Sequence, residues 1–299
     1  MADQTEELET GRYESVPEMA YHGWDAMSNG RLTTIRQSRA HCQWSMGHPS
    51  SDTPSTAFGT AAHCVVLEPE RWDLVYCLEP QWVEGIQNSK GKPITRQGWR
   101  NSTLFKDRKA DLVDHGREPL SQADLDACRT IRDHLYERPS KARDIMLAKT
   151  ATEVSYLATD PDVGVLAKVR PDIEVPSADM VVDFKTSKNA ARDEFERSIY
   201  KFGYHRTSPF YRDVMSAEGS HQWKHYLFLV VENVPPFEVA IYDLHPDAVD
   251  LGRFELEGLK LKYAHCIESG EWPGYPDEIR TVDVPRWVYR EWEGVTIEQ

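Results

Sequence analysis

The sequence predicts an α/β protein with a central mixed β-sheet flanked by helices. The first observation is a change of period. Apolar residues recur at helical spacing in the segments up to Pro139 and shift to short β-prone runs between Thr152 and Lys185, after which helices, strands and a last helix follow. The second is continuity. The chain has no internal repeat or low-complexity linker, and its 299 residues are 40% hydrophobic, enough for a substantial core. A single domain over 16–299 is expected, preceded by a flexible acidic tail at 1–15.

The elements follow in order. "SNGRLTTIRQSRAHCQW" opens on Ser28 and Asn29 and puts Leu32 and Ile35 on one helical face. "GTAAHCVVLEP" is a second helix that Pro69 stops, because the residue before a proline avoids helical backbone. The basic, glycine-containing stretch 87–117 is expected to be a partly ordered excursion. In "SQADLDACRTIRDHLYERP", Ser121 is a natural N-cap, and Leu125, Cys128, Ile131 and Leu135 share a helix face. "TEVSYLA" and "GVLAKVR", separated by Thr159-Asp160-Pro161-Asp162, should form a hairpin, with "DMVVDFK" as a third strand. Phe195, Ile199 and Phe202 mark a helix, and Ser208-Pro209 is expected to start the next. "HYLFLVVE" and "FEVAIYDL" are strands on either side of Pro235-Pro236. A long helix ending near Gly270 is expected to bury Leu251, Phe254 and Leu261, with Gly258 on that face.

Composition excludes several classes. Met1 to Glu14 has no apolar segment of a secretory leader, and no window approaches the roughly 20 apolar residues of a membrane span, so a soluble, cytoplasmic protein is expected. Five cysteines without a CxxC pair argue against a disulfide framework, a thiolate zinc site and an iron–sulfur cluster. The net charge of −14 opposes binding to a phosphate backbone, but it is unevenly spread. Lys90 to Arg117 holds eight basic residues against three acidic ones, and Lys185 to Arg212 holds seven against three. Each run also fits a solvated helix face.

Chemistry concentrates in "VRPDIEVPSADMVVDFKTSKN". Side chains alternate along a strand, so Asp183 and Lys185 point one way while Val182 and Phe184 point the other. Lys168, Arg170 and Asp172 share a face on the preceding run by the same rule. Asp172 and Asp183 can converge on one divalent cation such as Mg²⁺, which takes one or two carboxylates and leaves room for water and a phosphate. The Lys185 amine would orient or help deprotonate the attacking water. The alternative is a surface ion pair on an edge strand, a weak interaction that gives no reason for a carboxylate directly after Met180-Val181-Val182.

"RPDIEVPSADMVVDFKT" resembles the PD-(D/E)XK motif in the form found in RecE-type exonucleases (exonuclease VIII) and related phage-encoded domains. "GRLTTIRQSRAHCQW", "STAFGTAAHCVVLEPERW", "FGYHRTSPFYRDVM", "VENVPPFEVAIYDLHPDAVDLGRFELEGLK" and "GEWPGY" extend the resemblance in order over residues 28 to 290. It implies a PD-(D/E)XK nuclease core with Asp172, Asp183 and the Phe184 backbone carbonyl as metal ligands and Lys185 as the catalytic lysine. It further implies that His63, in "GTAAH", reaches the metal from a helix; the bland alternative is a core histidine. Gly59 would either allow that helix to approach closely or be a plain loop glycine. Glu153 is either an extra ligand or a solvated strand residue. The family's Gln and Tyr in the helix after the lysine correspond to Thr207 and Tyr211, so the Gln is missing and Thr207 is left to meet a phosphate, while Tyr211 is either a site residue or core packing.

The expected function is a Mg²⁺-dependent exodeoxyribonuclease, with Mn²⁺ substituting, that degrades linear double-stranded DNA from its 5′ ends. Lys168, Arg170, Lys188 and Arg192, together with the basic excursion, would grip the backbone. The resemblance also implies a ring-like homo-oligomer, a single-strand annealing partner and a phage or prophage origin. Two rivals are a catalytically silent DNA-binding or assembly module and a site- or structure-specific endonuclease.

Overall fold

The structure, a computed structural model, describes residues 9–48, 54–286 and 288–289, so most of the tail expected at 1–15 lies outside it. Strand β1 (Gly11–Tyr13) and helix α1 (Glu18–Gly23) come first, followed by α2 (Asn29–Gln37) and α3 (Arg39–Gly47). The single helix expected here is broken at Ser38, which is extended and caps α3 by accepting the His41 N–H. Helix α4 (Pro54–Leu67) ends just before Pro69, as the proline rule requires, and Pro69 opens α5 (Pro69–Val75). The basic excursion is better ordered than expected. It leaves from β2 (Tyr76–Leu78), forms α6 (Thr103–Asp114) and returns through β3 (Glu118–Leu120), which pairs in parallel with β2.

Ser121 caps α7 (Gln122–Glu137), and α8 (Lys141–Ala148) leads into the strands. These are β4 (Ala151–Thr152), β5 (Ser155–Thr159), β6 (Leu166–Val169), β7 (Ile173–Val175) and β8 (Met180–Ser187). Helices α9 (Arg192–Phe202) and α10 (Tyr204–Glu218), strands β9 (His225–Glu232) and β10 (Val239–Asp243), and α11 (Pro246–Ser269) complete the order. The break between α9 and α10 falls at Gly203, whose φ of 76° suits a glycine, and not at Ser208. Pro209 therefore lies inside α10 and has no N–H for the His205 carbonyl four residues back.

The main sheet is mixed, in the order β10-β9-β8-β7-β4, with β8 and β9 parallel and the other neighbours antiparallel. A smaller sheet, β1-β5-β6, contains the expected β5–β6 hairpin. Strand alternation divides the core in two. Val181, Phe228 and Val230 pack with residues of α10 and α11, whereas Val182, Phe184, Leu229 and Val231 pack with residues of α4 and α7. Asp183 and Lys185 share the Val181 side of β8.

Helix α11 turns a different face inward from the one expected. Leu251, Phe254 and Leu261 are exposed, while Gly252, Leu256, Leu259, Tyr263 and Cys266 are buried. The close approach is at Gly252, where a Cβ would lie 1.9 Å from the His205 carbonyl oxygen; at Gly258 it would meet nothing within 4 Å. That oxygen is the one Pro209 leaves without its helical donor, so α10 and α11 meet where the hydrogen-bond ladder is interrupted. Among the described residues, no helix is long and apolar enough to cross a membrane.

Candidate active site

The site forms where the chain twice changes sheet. It passes from β4 in the main sheet to β5 in the small one through Glu153 and Val154, and returns from β6 to β7 through Arg170, Pro171 and Asp172. "TEVSYLA" is thus not one strand. Glu153 occupies the kink at φ 53°, a left-handed conformation that costs a non-glycine residue and persists only where its surroundings hold it. Its N–H donates to the Asp172 carbonyl at 3.3 Å, tying the two crossings together.

Pairing between β7 and β8 stops at Ile173 opposite Val182, which leaves the N–H and C=O of Phe184 facing an edge without a strand. Such groups need partners. The Asp172 carboxylate accepts the N–H at 2.6 Å, and His63 Nε2 lies 2.9 Å from the carbonyl oxygen. Helix α4 delivers His63, whose Nδ1 is 3.7 Å from Glu153 Oε1. One ligand atom from each of His63, Glu153 and Asp172 falls within 4.8 Å of the others. Asp183 lies outside this trio. Its carboxylate is ion-paired to Lys185 Nζ at 2.6 Å and accepts from the Tyr226 hydroxyl at 3.1 Å.

Burial raises the pKa of Asp172; His63 and Lys185 oppose the rise and Glu153 adds to it. Burial also raises Asp183, with Asp172 adding to the shift and Lys185 opposing it. For Lys185, burial lowers the pKa but Asp183 and Asp172 outweigh it, so the ammonium is held more tightly than usual. Burial is likewise outweighed at His63 by Asp172 and Glu153. The carboxylates are raised mainly by burial, which disfavours their charged form, and the opposing pull of Lys185 and His63 does not cancel it. With an imidazole nitrogen, carboxylate oxygens and the Phe184 carbonyl as hard or borderline donors, the residues present fit a divalent cation.

The trio opens on a cleft of about 1290 Å³ that Lys185, Arg170, Tyr211 and Arg71 also line. Its far wall is the N-terminal segment around Val16, Met19 and Tyr21, which nothing in the sequence assigns to a site. Tyr211 faces Asp183, Asp172 and Glu153, and burial holds its hydroxyl far above the ordinary tyrosine pKa, so it stays a hydrogen-bond donor.

The expected backbone-gripping residues separate. Lys168 is buried and donates to the carbonyls of Tyr21, His22 and Trp24 at 2.7, 3.1 and 2.8 Å. Burial pushes its pKa down to about 8, and the residue is 4% exposed. Lys168 is a clamp on the end of α1, not a DNA contact. Thr207 is also committed: it is buried, accepts from Asn29 at 3.0 Å and donates to the Gly203 carbonyl at 3.4 Å, leaving nothing for a phosphate. Arg170 lines the cleft but donates to Ser155 and to the Val16 carbonyl. Lys188 and Arg192 are exposed, Arg192 paired with Glu196 at 2.8 Å. Lys90, Lys92 and Arg96 are exposed on the excursion, which is rooted at Tyr76 on the cleft wall. Gly59 is no steric requirement, since a Cβ there would touch only Thr186 Oγ1 at 3.5 Å, an ordinary contact.

Residues 28–285 match the family model described as a PDDEXK-like domain of unknown function (DUF3799). Nothing matches among curated proteins. Four chains of solved structures match. One is the crystal structure of a protein from Eubacterium rectale, provisionally described as an exonuclease, with a TM-score of 0.54 and 11% sequence identity over 94% of this chain and 99% of that one. At that identity the likeness is one of fold.

Proposed function

Since the chain belongs to the PDDEXK-like DUF3799 family, we propose that it is a metal-dependent deoxyribonuclease acting on the ends of linear double-stranded DNA. The observation that carries this is the trio of His63, Glu153 and Asp172 set beside the Lys185 ammonium. His63, Glu153, Asp172 and the Phe184 carbonyl would hold Mg²⁺ or Mn²⁺, with Asp183 adjacent. When bound, such an ion polarises a phosphate oxygen and lowers the pKa of a coordinated water.

The protein's own groups do the rest. Lys185 stays protonated beside Asp183, so it acts as a charge donor to the phosphate oxygens and not as a base. Asp183, fixed by Tyr226, aims that ammonium. Tyr211 donates into the cleft, where it can orient a phosphate. Hydrolysis from 5′ ends, leaving 3′ single strands for an annealing partner in phage-type recombination, rests on the resemblance to RecE-type enzymes, as does a ring of identical subunits. Arg170, Lys188, Arg192 and the excursion are the remaining candidates for backbone contacts, which carry no base sequence.

The test is a gel assay of end-labelled linear, nicked and circular duplex with Mg²⁺, Mn²⁺ or EDTA. Progressive shortening of linear duplex alone, abolished by EDTA, is the expected result. Discrete bands would make the protein an endonuclease, and binding without cleavage a silent module.

A further inference from the structure

Beside the catalytic lysine an aromatic stack runs from the core to the surface. Tyr242 stacks on Phe195 at 4.8 Å, Phe195 on Tyr204 at 5.9 Å, and the Phe202 ring lies 5.6 Å beyond Tyr204. Lys185 Nζ is 5.6 Å from the centre of the Tyr204 ring. Phe202 holds the third place of the inward-facing series Phe195, Ile199, Phe202, yet its ring is 51% exposed because α9 ends there. A lone exposed aromatic would mean little. This one adjoins the stack at a 30° tilt, one ring away from the lysine, and Lys201 Nζ sits 5.1 Å from its ring centre.

The corner is also rigid. Gly203 turns the chain at φ 76°, and a Cβ there would fall 2.1 Å from the Arg206 guanidinium, which is buried and paired with Glu255 at 2.6 Å. An exposed aromatic ring on a fixed corner, with a flexible lysine beside it that can move to a phosphate, suits an unpaired nucleobase, since every base has a π-face and a phosphate attached. A hydrogen-bonded base pair offers its faces only at a duplex end.

We propose that Phe202, backed by the core-packed Tyr204, forms a stacking platform for the terminal or unpaired base beside the scissile phosphate, so that the protein selects frayed or single-stranded DNA ends. This rests on the nuclease function proposed above. Phe202 is a positioning residue, because it holds the base while Lys185 meets the phosphate.

The experiment uses the full chain and duplexes carrying 2-aminopurine at the terminal or at an internal position. Binding is followed in EDTA and cleavage separately in Mg²⁺. Stacking on an aromatic ring quenches this base, so the wild type should quench the terminal probe and spare the internal one. Phe202→Ala should lose the quenching and raise KM for blunt duplex roughly 5- to 100-fold with kcat nearly unchanged. Phe202→Trp should restore both. Tyr200→Ala, on the same turn but stacked towards His205, should match the wild type. If Phe202→Ala keeps full quenching and wild-type KM while the wild type cleaves, the platform is wrong and the nuclease stands. If the wild type neither binds nor cleaves any duplex, the nuclease falls and the platform with it.

Discussion

Replacing Gly252 by alanine should destabilise the protein, although the same change at Gly258, six residues further along α11, should stabilise it. An added Cβ at 252 would lie 1.9 Å from the His205 oxygen, 2.6 Å from its carbonyl carbon and 3.2 Å from the Arg206 nitrogen. A carbon–oxygen contact needs about 3.3 Å, so the helices must part by roughly 1.4 Å. All three atoms are backbone, and no side chain can turn away. Overpacking of this kind costs about 1–3 kcal/mol, and a backbone obstacle belongs at the upper end. Alanine's better helix propensity returns about 1 kcal/mol, for a net loss of about 2 kcal/mol. At Gly258 only the propensity term remains, a gain of up to about 1 kcal/mol. Urea unfolding followed by tryptophan fluorescence gives both values from the shift in midpoint at constant slope. A Gly252→Ala protein as stable as the wild type, or two variants shifted in the same direction, would refute the packing account.

Three further outcomes test the site. Lys185→Met should lower cleavage by about 10²- to 10³-fold while the fold survives, measured as single-turnover rates alongside circular dichroism; wild-type rates would remove Lys185 from the chemistry. Glu153→Gln keeps the shape but removes a ligand charge, and Mn²⁺ affinity by calorimetry should fall about 10- to 100-fold; unchanged affinity would return Glu153 to a backbone role. Metal binding should also strengthen with pH. The raised carboxylate pKa values make the metal-free fold bind protons that the unfolded chain releases, so its stability falls as pH rises above the ordinary aspartate value. His63, raised as well, gives stability that is complete below its ordinary pKa and is lost as pH rises through the folded value. Mn²⁺ competes with those protons, so the rise in melting temperature that it causes should grow from about pH 5 to about pH 8. A pH-independent rise would show that the metal sits elsewhere.

The order of elements was legible because caps and breakers act locally. Ser121 and Pro69 do what they would do in any chain, and β8 reads correctly because the alternation of Val182, Asp183, Phe184 and Lys185 stays within one strand. What escaped was decided over long range. Lys168 alternates with Arg170 as expected, but α1 comes from 144 to 147 residues away to lay its carbonyls on the ammonium. Thr207 finds its partner 178 residues away. On α11, Leu251, Phe254 and Leu261 fall at helical steps of 3 and 7, and Leu256, Leu259 and Tyr263 at helical steps of 3 and 4, so periodicity alone cannot choose the buried stripe. Glu153 could be named as a candidate, but its place beside His63 required knowing that the strand breaks there and enters another sheet.

The two sheet crossings make the ligand trio behave like a caliper. Asp172 sits on one jaw and Glu153 on the kink joining both, while Arg12 acts as the bolt, reaching Tyr156 on the small sheet at 3.1 Å and Glu174 on the large one at 2.9 Å. Oxygen ligands stand about 2.0 to 2.1 Å from magnesium and about 2.3 to 2.6 Å from calcium, a difference far smaller than the span of a sheet. In the metal site proposed above, a change in the tilt of one sheet on the other would alter the spacing of the ligands, so that residues never touching the cation would share in selecting it.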